Sequence, residues 1–162
     1  MVSLILYNLR SSHNVGSIFR TADAIGVAKI YLIGYTPAPT DQFGRVNKEI
    51  AKTALGAEQT IEWEQIEDIL ELIKKLREKG CHIVALEQAA NSVDYKKIPR
   101  TFLKGAQGES SGLAVILGNE VGGIEPEILK ECDVVAEIPM RGEKESLNVS
   151  VSAGVALFRW LD

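Results

Sequence analysis

Cysteine, histidine and long apolar runs are scarce in this sequence of 162 residues. The two cysteines, Cys81 and Cys132, are far apart and form no C-x-x-C pair, and His13 and His82 do not complete a cluster of metal ligands. We therefore expect reduced thiols and no bound metal. The longest apolar runs, such as residues 113–117, are far shorter than the roughly 18 residues of a membrane span. We therefore expect no membrane partner.

Sequence signals for export and for phosphate-binding loops are also missing. No basic segment precedes an apolar stretch with a small-residue cleavage site, so we expect a cytoplasmic protein without a secretory signal. The sequence has no Walker lysine motif and no G-x-G-x-x-G after its first apolar segment. The usual P-loop and dinucleotide sites are therefore not expected.

The composition is that of an ordinary folded protein, with 46% hydrophobic and 25% charged residues. Its length predicts one domain over residues 1–162. The net charge of -4 argues against a protein that coats nucleic acid by charge alone. Residues 1–56 nevertheless hold six basic against three acidic side chains, whereas the remaining 106 hold twelve against nineteen. This asymmetry fits either a polyanion-facing side or a solvated surface with uneven charge.

Short apolar segments alternate with amphipathic helices along the sequence. This alternation predicts an α/β fold with a mainly parallel sheet and helices on both faces of the sheet. Strands are predicted over residues 3–7, 29–33, 83–86, 113–117 and 134–138, and helices over 14–25, 48–54, 65–79, 126–132 and 147–160. Residues 90–111 are polar and are expected to be irregular.

Capping residues suggest where the first and last helices begin. Asn14 is a good N-cap for the first helix. The last helix has an ambiguous start, because Leu147, Val149 and Val151 alternate with polar residues as in a strand. The helical face of this segment spans a longer window than the alternation does. We therefore expect a helix from Leu147, with Ser146 as its N-cap.

Three polar clusters adjoin apolar strands, where open α/β sheets bind ligands. The first spans residues 8–22; its helix N-terminus suits a phosphate, and Arg20 is expected on the solvated side of that helix. The second, residues 118–124, has glycines that let a ligand approach the backbone, and Glu120 to orient a polar group. The third, residues 138–148, is a charged loop. Each cluster alone also fits an ordinary capped helix or turn.

Taken together and in this order, the clusters resemble the SpoU (TrmH-like) branch of the SPOUT superfamily of RNA ribose 2′-O-methyltransferases. The matching stretches are NVGSIFRTA (14–22), KTALGA (52–57), ILGNE (116–120), IPM (138–140) and SLNVS (146–150). The resemblance covers nearly the whole chain as a minimal catalytic domain.

The resemblance implies a trefoil knot in the C-terminal third, S-adenosylmethionine (AdoMet) bound in that knot as methyl donor, a homodimer and an RNA substrate. It implies a catalytic role for Arg20 and an orienting role for its neighbour Asn14. The catalytic set is completed by Glu120, Ser146 and Asn148. AdoMet would be held by Leu86, Gly118, Ile138, Met140, Ser146 and Leu147. RNA would be bound by a basic face of Arg10, Arg20, Arg45, Arg141 and Lys144.

The expected function is therefore AdoMet-dependent methylation of a ribose 2′-hydroxyl, of tRNA first and ribosomal RNA second. The order rests on the small size, which resembles minimal tRNA-modifying members. Arginine is a poor general base because its pKa lies above about 12, so Arg20 is expected to bind phosphate and stabilise charge on the attacking oxygen. The family proposal that this arginine takes the proton of the hydroxyl, aided by a phosphate, stays open. Two alternatives stay open: a non-catalytic RNA or ribosome-assembly protein, and a nucleotide- or flavin-binding α/β domain.

Overall fold

The computed structural model describes residues 1–99, 101–102 and 112–161, and its strands form one sheet. The strands are β1 (Val2–Tyr7), β2 (Lys29–Ile33), β3 (Glu62–Ile66), β4 (Cys81–Leu86), β5 (Val93–Asp94), β6 (Gly112–Leu117) and β7 (Val134–Glu137). Their order across the sheet is β3-β2-β1-β6-β4-β7-β5, and all neighbouring pairs are parallel. The predicted α/β class with a mainly parallel sheet is confirmed.

Helices pack on both faces of this sheet. Their described bounds are α1 (Ser12–Ile25), α2 (Lys48–Ala54), α3 (Ala57–Thr60), α4 (Ile69–Glu78), α5 (Pro126–Leu129) and α6 (Val149–Leu161). Successive side chains of a strand point to opposite faces. Leu4 of β1 therefore lies in one buried cluster with Phe19 of α1 and Leu157 of α6. Its neighbour Ile5 lies in a second cluster with Ile73 of α4.

The N-cap of α1 is Ser11, so the prediction of Asn14 was wrong. The backbone of Ser11 is extended, and its Oγ accepts a hydrogen bond from the backbone N–H of Asn14 at 3.1 Å. A serine at this position satisfies one of the unpaired N–H groups of the first turn. The side chain of Asn14 is consequently available for contacts outside the helix.

The predicted helix over residues 65–79 is wrong at its start. Residues Glu62–Ile66 form β3, an edge strand that pairs with β2. The helix begins only at Ile69, because the Asp68 carboxylate accepts hydrogen bonds from the N–H groups of Leu70 and Glu71. Ile66 fits the helical spacing of α4, so the apolar pattern alone does not show that the helix begins later.

The last helix also begins later than predicted. It starts at Val149, so Ser146 is not its N-cap. Oδ1 of Asn148 accepts a hydrogen bond from the N–H of Ser150 at 2.9 Å and takes over that role. The segment 90–111 is not wholly irregular, since it holds β5 and a 3-10 turn, Tyr95–Lys97. Residue 100 and residues 103–111 of that segment lie outside the described residues.

Within the described ranges, no helix is both long enough and apolar enough to cross a bilayer. Both cysteines are free thiols. The C-terminal knot stays a prediction from the resemblance.

Candidate active site

The carboxyl ends of four neighbouring strands bring the predicted clusters to one edge of the sheet. Leu86 at the end of β4 lies beside Leu117 of β6 and Ala136 of β7. Leu117 in turn lies beside Leu6 of β1. The loops after these strands therefore begin side by side, at the edge where parallel sheets bind ligands.

A cleft of about 350 Å³ opens between these loops. Its volume falls within the roughly 300–1,000 Å³ of small-molecule sites. All the residues to which the resemblance gives a role in AdoMet binding line this cleft: Leu86, Gly118, Ile138, Met140, Ser146 and Leu147. Glu120 and Asn148 line it as well. The second and third clusters thus form the walls of one cavity.

Asn14 connects the first cluster to the other two. Its Nδ2 donates a hydrogen bond to Oε1 of Glu120 at 3.1 Å, and its Oδ1 accepts one from Nδ2 of Asn148 at 3.1 Å. Asn14 is only 8% exposed, so both ends of its amide group need such partners. Because Glu120 and Asn148 line the cleft, this hydrogen-bonded triad of Asn14, Glu120 and Asn148 forms part of its rim.

The Glu120 carboxylate is held by the turn that precedes α1. Its Oε2 accepts a hydrogen bond from the N–H of Arg10 at 3.2 Å, and its Oε1 accepts from the N–H of Ser11 at 3.5 Å as well as from Asn14. Partial burial acts to raise the pKa of Glu120. Hydrogen bonds from its own backbone N–H and from Asn14, Arg10 and Ser11 outweigh this effect, so the net pKa lies below its ordinary value. The carboxylate is therefore ionised at neutral pH.

The glycine turn after β6 has a fixed conformation. Oδ1 of Asn119 accepts hydrogen bonds from the N–H groups of Val121 and Gly122, and its Nδ2 donates to the carbonyl of Asn8 at 2.7 Å. A Cβ at Gly118 would lie 2.5 Å from Cγ1 of Ile124, so this position has no room for a side chain. These contacts hold the turn in place where Gly118, Asn119 and Glu120 line the cleft.

Arg20 lies outside this constellation within the single chain. It is exposed on α1, while Ile18 and Ala22 beside it are fully buried, as the sequence predicts. Six residues along the helix separate it from Asn14, a rise of about 9 Å. Arg20 does not line the cleft, and it has no ion-pair partner among the residues that the structure describes. Its catalytic role stays a prediction.

The remaining basic residues expected on the RNA-facing side are all exposed. Arg10 adjoins the rim through its backbone contact with Glu120. Arg141 and Lys144 lie in the loop between β7 and α6, next to the cleft residues Met140 and Ser146. Arg45 belongs to a different hollow, in the loop between β2 and α2. Within the single chain, Arg45 therefore belongs to a different hollow from the cleft that the other three residues adjoin.

Sequence reasoning missed several residues of the cleft. Glu87 and Gln88 line it directly after β4, and Ser152 lines it from α6. Glu87 also fixes the glycine turn, since its Oε2 accepts a hydrogen bond from the N–H of Ile124 at 3.1 Å. The signal was present: Glu87 and Gln88 are the first polar residues after a buried parallel strand, which is where ligand sites form.

Among the residues with described positions, no three His, Cys, Asp or Glu side chains are arranged to hold a metal ion. The chemistry available at the cleft is that of amides, hydroxyls, backbone groups and carboxylates. Such a set suits the binding and orientation of an organic ligand.

Known proteins are similar to this chain in sequence and in fold. The model of the SpoU rRNA Methylase family matches residues 1–158. The 23S rRNA (guanosine-2'-O-)-methyltransferase RlmB of Neisseria meningitidis serogroup B is 32% identical over 155 residues, which cover 95% of this chain and 55% of that protein. The AdoMet-bound rRNA methyltransferase from Sinorhizobium meliloti has a TM-score of 0.83 at 30% identity, covering 98% of this chain and 55% of that one.

A tRNA-modifying TrmH/SpoU enzyme from A. aeolicus has the same fold, with a TM-score of 0.78 at 26% identity over 99% of this chain and 73% of that one. The chain spans about half the length of the curated relatives it matches. The family match itself runs through all three clusters and nearly to the last residue. The chain therefore belongs to the SpoU rRNA Methylase family.

Proposed function

We propose that this chain transfers a methyl group from AdoMet to a ribose 2′-hydroxyl of RNA. The observation that carries the proposal is the triad of Asn14, Glu120 and Asn148 on the rim of the cleft. It joins the first cluster, where RNA is expected, to the two clusters that form the cavity. A donor in the cavity and an acceptor above the triad would lie next to each other.

The lining of the cleft fits AdoMet by its chemistry. Leu86, Ile138 and Leu147 offer apolar surface to an adenine ring. Glu87 and Glu137 add carboxylates to the same lining, and negative charge attracts the sulfonium of the donor. When bound, AdoMet supplies an activated methyl group for attack by the ribose oxygen.

The residues of the chain have to hold the two reactants in line and keep water away from them. The ionised Glu120 anchors the turn that begins α1 onto the cleft, and Asn14 positions both Glu120 and Asn148. Arg20 binds an RNA phosphate and stabilises negative charge that develops on the attacking oxygen. A guanidinium is in general a poor base at neutral pH, which favours charge stabilisation over proton removal as the role of Arg20.

Methyl transfer from labelled AdoMet to total cellular RNA tests the proposal. After digestion to nucleosides, the label should be found in 2′-O-methylated ribose. Label on a base would contradict the proposal. AdoMet binding and RNA binding without any transfer would favour the non-catalytic RNA-binding alternative.

Ribosomal RNA is the substrate class that we propose first, ahead of tRNA. The Neisseria relative is named for 23S rRNA, and so is a second relative, from Ralstonia nicotianae, at 31% identity. The small size of the chain led us to expect tRNA as the first substrate class and ribosomal RNA as the second. The names of these relatives do not support that order. Methylation assays with purified 23S rRNA and with bulk tRNA distinguish the two classes, and transfer to tRNA alone would reverse the order.

We propose further that the chain forms a homodimer through the outer face of α6. Val151, Val155 and Phe158 recur at helical spacing on this helix and are 50%, 38% and 49% exposed. A stripe of large apolar side chains is costly to leave in water and is typical of an interface. Phe158→Asp should convert a dimer to a monomer in light scattering. A wild-type protein that is already monomeric would contradict the proposal.

A further inference from the structure

A second hollow, of about 660 Å³, lies in the loop between β2 and α2. It is lined mainly by residues between 34 and 47. Two side-chain contacts tie this loop to the elements that carry the cleft. Nδ2 of Asn119 in the glycine turn donates to the hydroxyl of Tyr35, and Nδ2 of Asn47 donates to Oγ of Ser12 at 3.2 Å. The hollow is therefore held beside the triad of Asn14, Glu120 and Asn148.

The hollow displays an aromatic ring and a guanidinium as a fixed pair. Phe43 is 72% exposed, and the guanidinium carbon of Arg45 lies 5.1 Å from the centre of its ring. Asp41 fixes both residues: its Oδ2 accepts from Nε of Arg45 at 2.6 Å, and its Oδ1 accepts from the N–H groups of Phe43 and Arg45. Gly44, with a φ of 76°, provides the left-handed turn between them.

The exposure of Phe43 and the contacts of its neighbours point to a ligand rather than to packing. Because this ring is so exposed, its burial contributes little free energy to the fold. Three hydrogen bonds to Asp41 nevertheless fix the conformation of its loop. Aromatic rings and arginine planes arranged in this way bind unpaired bases by stacking. A base paired within a duplex cannot offer its face to such a ring.

We propose that Phe43 and Arg45 bind an unpaired base of the RNA substrate, close to the nucleotide whose ribose enters the cleft. This inference rests on the proposed function, because it assigns a substrate class, single-stranded or loop RNA, to the same edge of the sheet. The exposed Arg10, whose backbone contacts Glu120 on the rim of the cleft, adds positive charge for an RNA backbone. Phe43 thereby becomes a determinant of substrate choice.

Binding of a single-stranded 12-nucleotide RNA and of a blunt duplex of the same length tests the proposal, with the full chain and no AdoMet. Stacking of one base on an aromatic side chain contributes about 1–3 kcal/mol, or about 5–150-fold in affinity. Phe43→Ala should therefore weaken single-strand binding at least fivefold and leave duplex binding unchanged. Phe43→Trp should retain the affinity for single-stranded RNA, because tryptophan also offers an aromatic face. The fluorescence of the added indole should be quenched by the RNA.

Two further variants separate stacking from simple apolar contact. Phe43→Leu keeps apolar surface without an aromatic face and should bind as poorly as Phe43→Ala. Val46→Ala removes exposed apolar surface from the same hollow and should bind as the wild type does. Equal single-strand affinity of Phe43→Ala and the wild type would overturn the proposal.

The outcome of the binding assay is independent of methyl transfer. RNA could quench the fluorescence of Phe43→Trp, and Phe43→Ala could bind single-stranded RNA weakly, while no methyl group is transferred. This result would count against the proposed function and still support the stacking site. A change of oligomeric state in Phe43→Ala, with unaltered RNA affinity, would make the hollow a protein contact and overturn the proposal.

Discussion

Nδ2 of Asn148 donates a hydrogen bond to Oδ1 of Asn14 at 3.1 Å, although 134 residues separate them in the chain. The same Asn14 donates to Glu120. One buried amide therefore connects the turn before α1, the glycine turn after β6 and the start of α6. The arrangement of the cleft rim depends on this single side chain.

Removal of the Asn14 amide should destabilise the fold as well as the site. In Asn14→Ala, Glu120 and Asn148 each lose a partly buried hydrogen bond, which together costs about 1–3 kcal/mol. Urea unfolding measures this loss. The matched control is Asn91→Ala at an exposed position, which should change the free energy of unfolding by less than about 0.5 kcal/mol. Equal stability of both variants would show that the triad is dispensable.

Substitution of Arg20 should affect transfer and spare the donor site. Arg20→Ala should lower the rate of methyl transfer by about 10²-fold or more, since it removes a group that stabilises developing charge. AdoMet affinity, measured by calorimetry, should not change, because Arg20 does not line the cleft. Arg20→Lys should recover only part of the rate, since lysine lacks the forked geometry of a guanidinium. Full activity of Arg20→Ala would refute its assignment.

The charge of Glu120 should contribute to the free energy of unfolding over a defined range of pH. Its folded-state pKa lies below the ordinary value of 4.5, so its contribution to stability is complete above about pH 4.5 and declines as the pH falls through the lower folded-state pKa. The difference in unfolding free energy between wild type and Glu120→Gln should therefore be constant from pH 8 to about pH 5 and shrink in more acidic solution. A difference that instead grows on acidification would show the opposite pKa shift.

Gly16 allows α1 and α2 to pack closely. A Cβ at Gly16 would lie 2.5 Å from the carbonyl oxygen of Ile50 and would overlap Oγ1 of Thr53. Gly16→Ala should therefore lower the free energy of unfolding by about 1–3 kcal/mol despite the better helix propensity of alanine. Gly142→Ala is the control, because nothing lies within 4 Å of its added Cβ. Similar stability of the two variants would contradict the close-packing argument.

The sequence allowed the parallel sheet and most of the cleft to be predicted, for different reasons. Buried strands such as β6 are continuously apolar, and their pattern is unambiguous. The residues of the cleft came from the resemblance, since no spacing rule places Leu86 beside Gly118 and Ile138. Edge strand β3 escaped detection because only Trp63 and Ile66 of its residues are partly buried, which leaves a largely polar segment.

Other features depend on tertiary contacts that no local pattern reports. Ser11 and Asn14 are both suitable caps within one turn cluster, and only the contacts of Asn14 with Glu120 and Asn148 decide between them. The pairing of Phe43 with Arg45 depends on the way Asp41 folds its own loop. The position of Arg20 relative to the cleft is set by α1, which holds Arg20 six residues along the helix from Asn14.

The position of Asn148 in the chain has a consequence for protein synthesis. A ribosome completes β1 and α1 long before it reaches the residue that pairs with Asn14, and β6, which fills the gap between β1 and β4, also arrives late. A nascent chain without β6 therefore has a gap in its sheet, and one without Asn148 has an unfinished rim. The rim of the cleft can form only after both β6 and Asn148 have been synthesised.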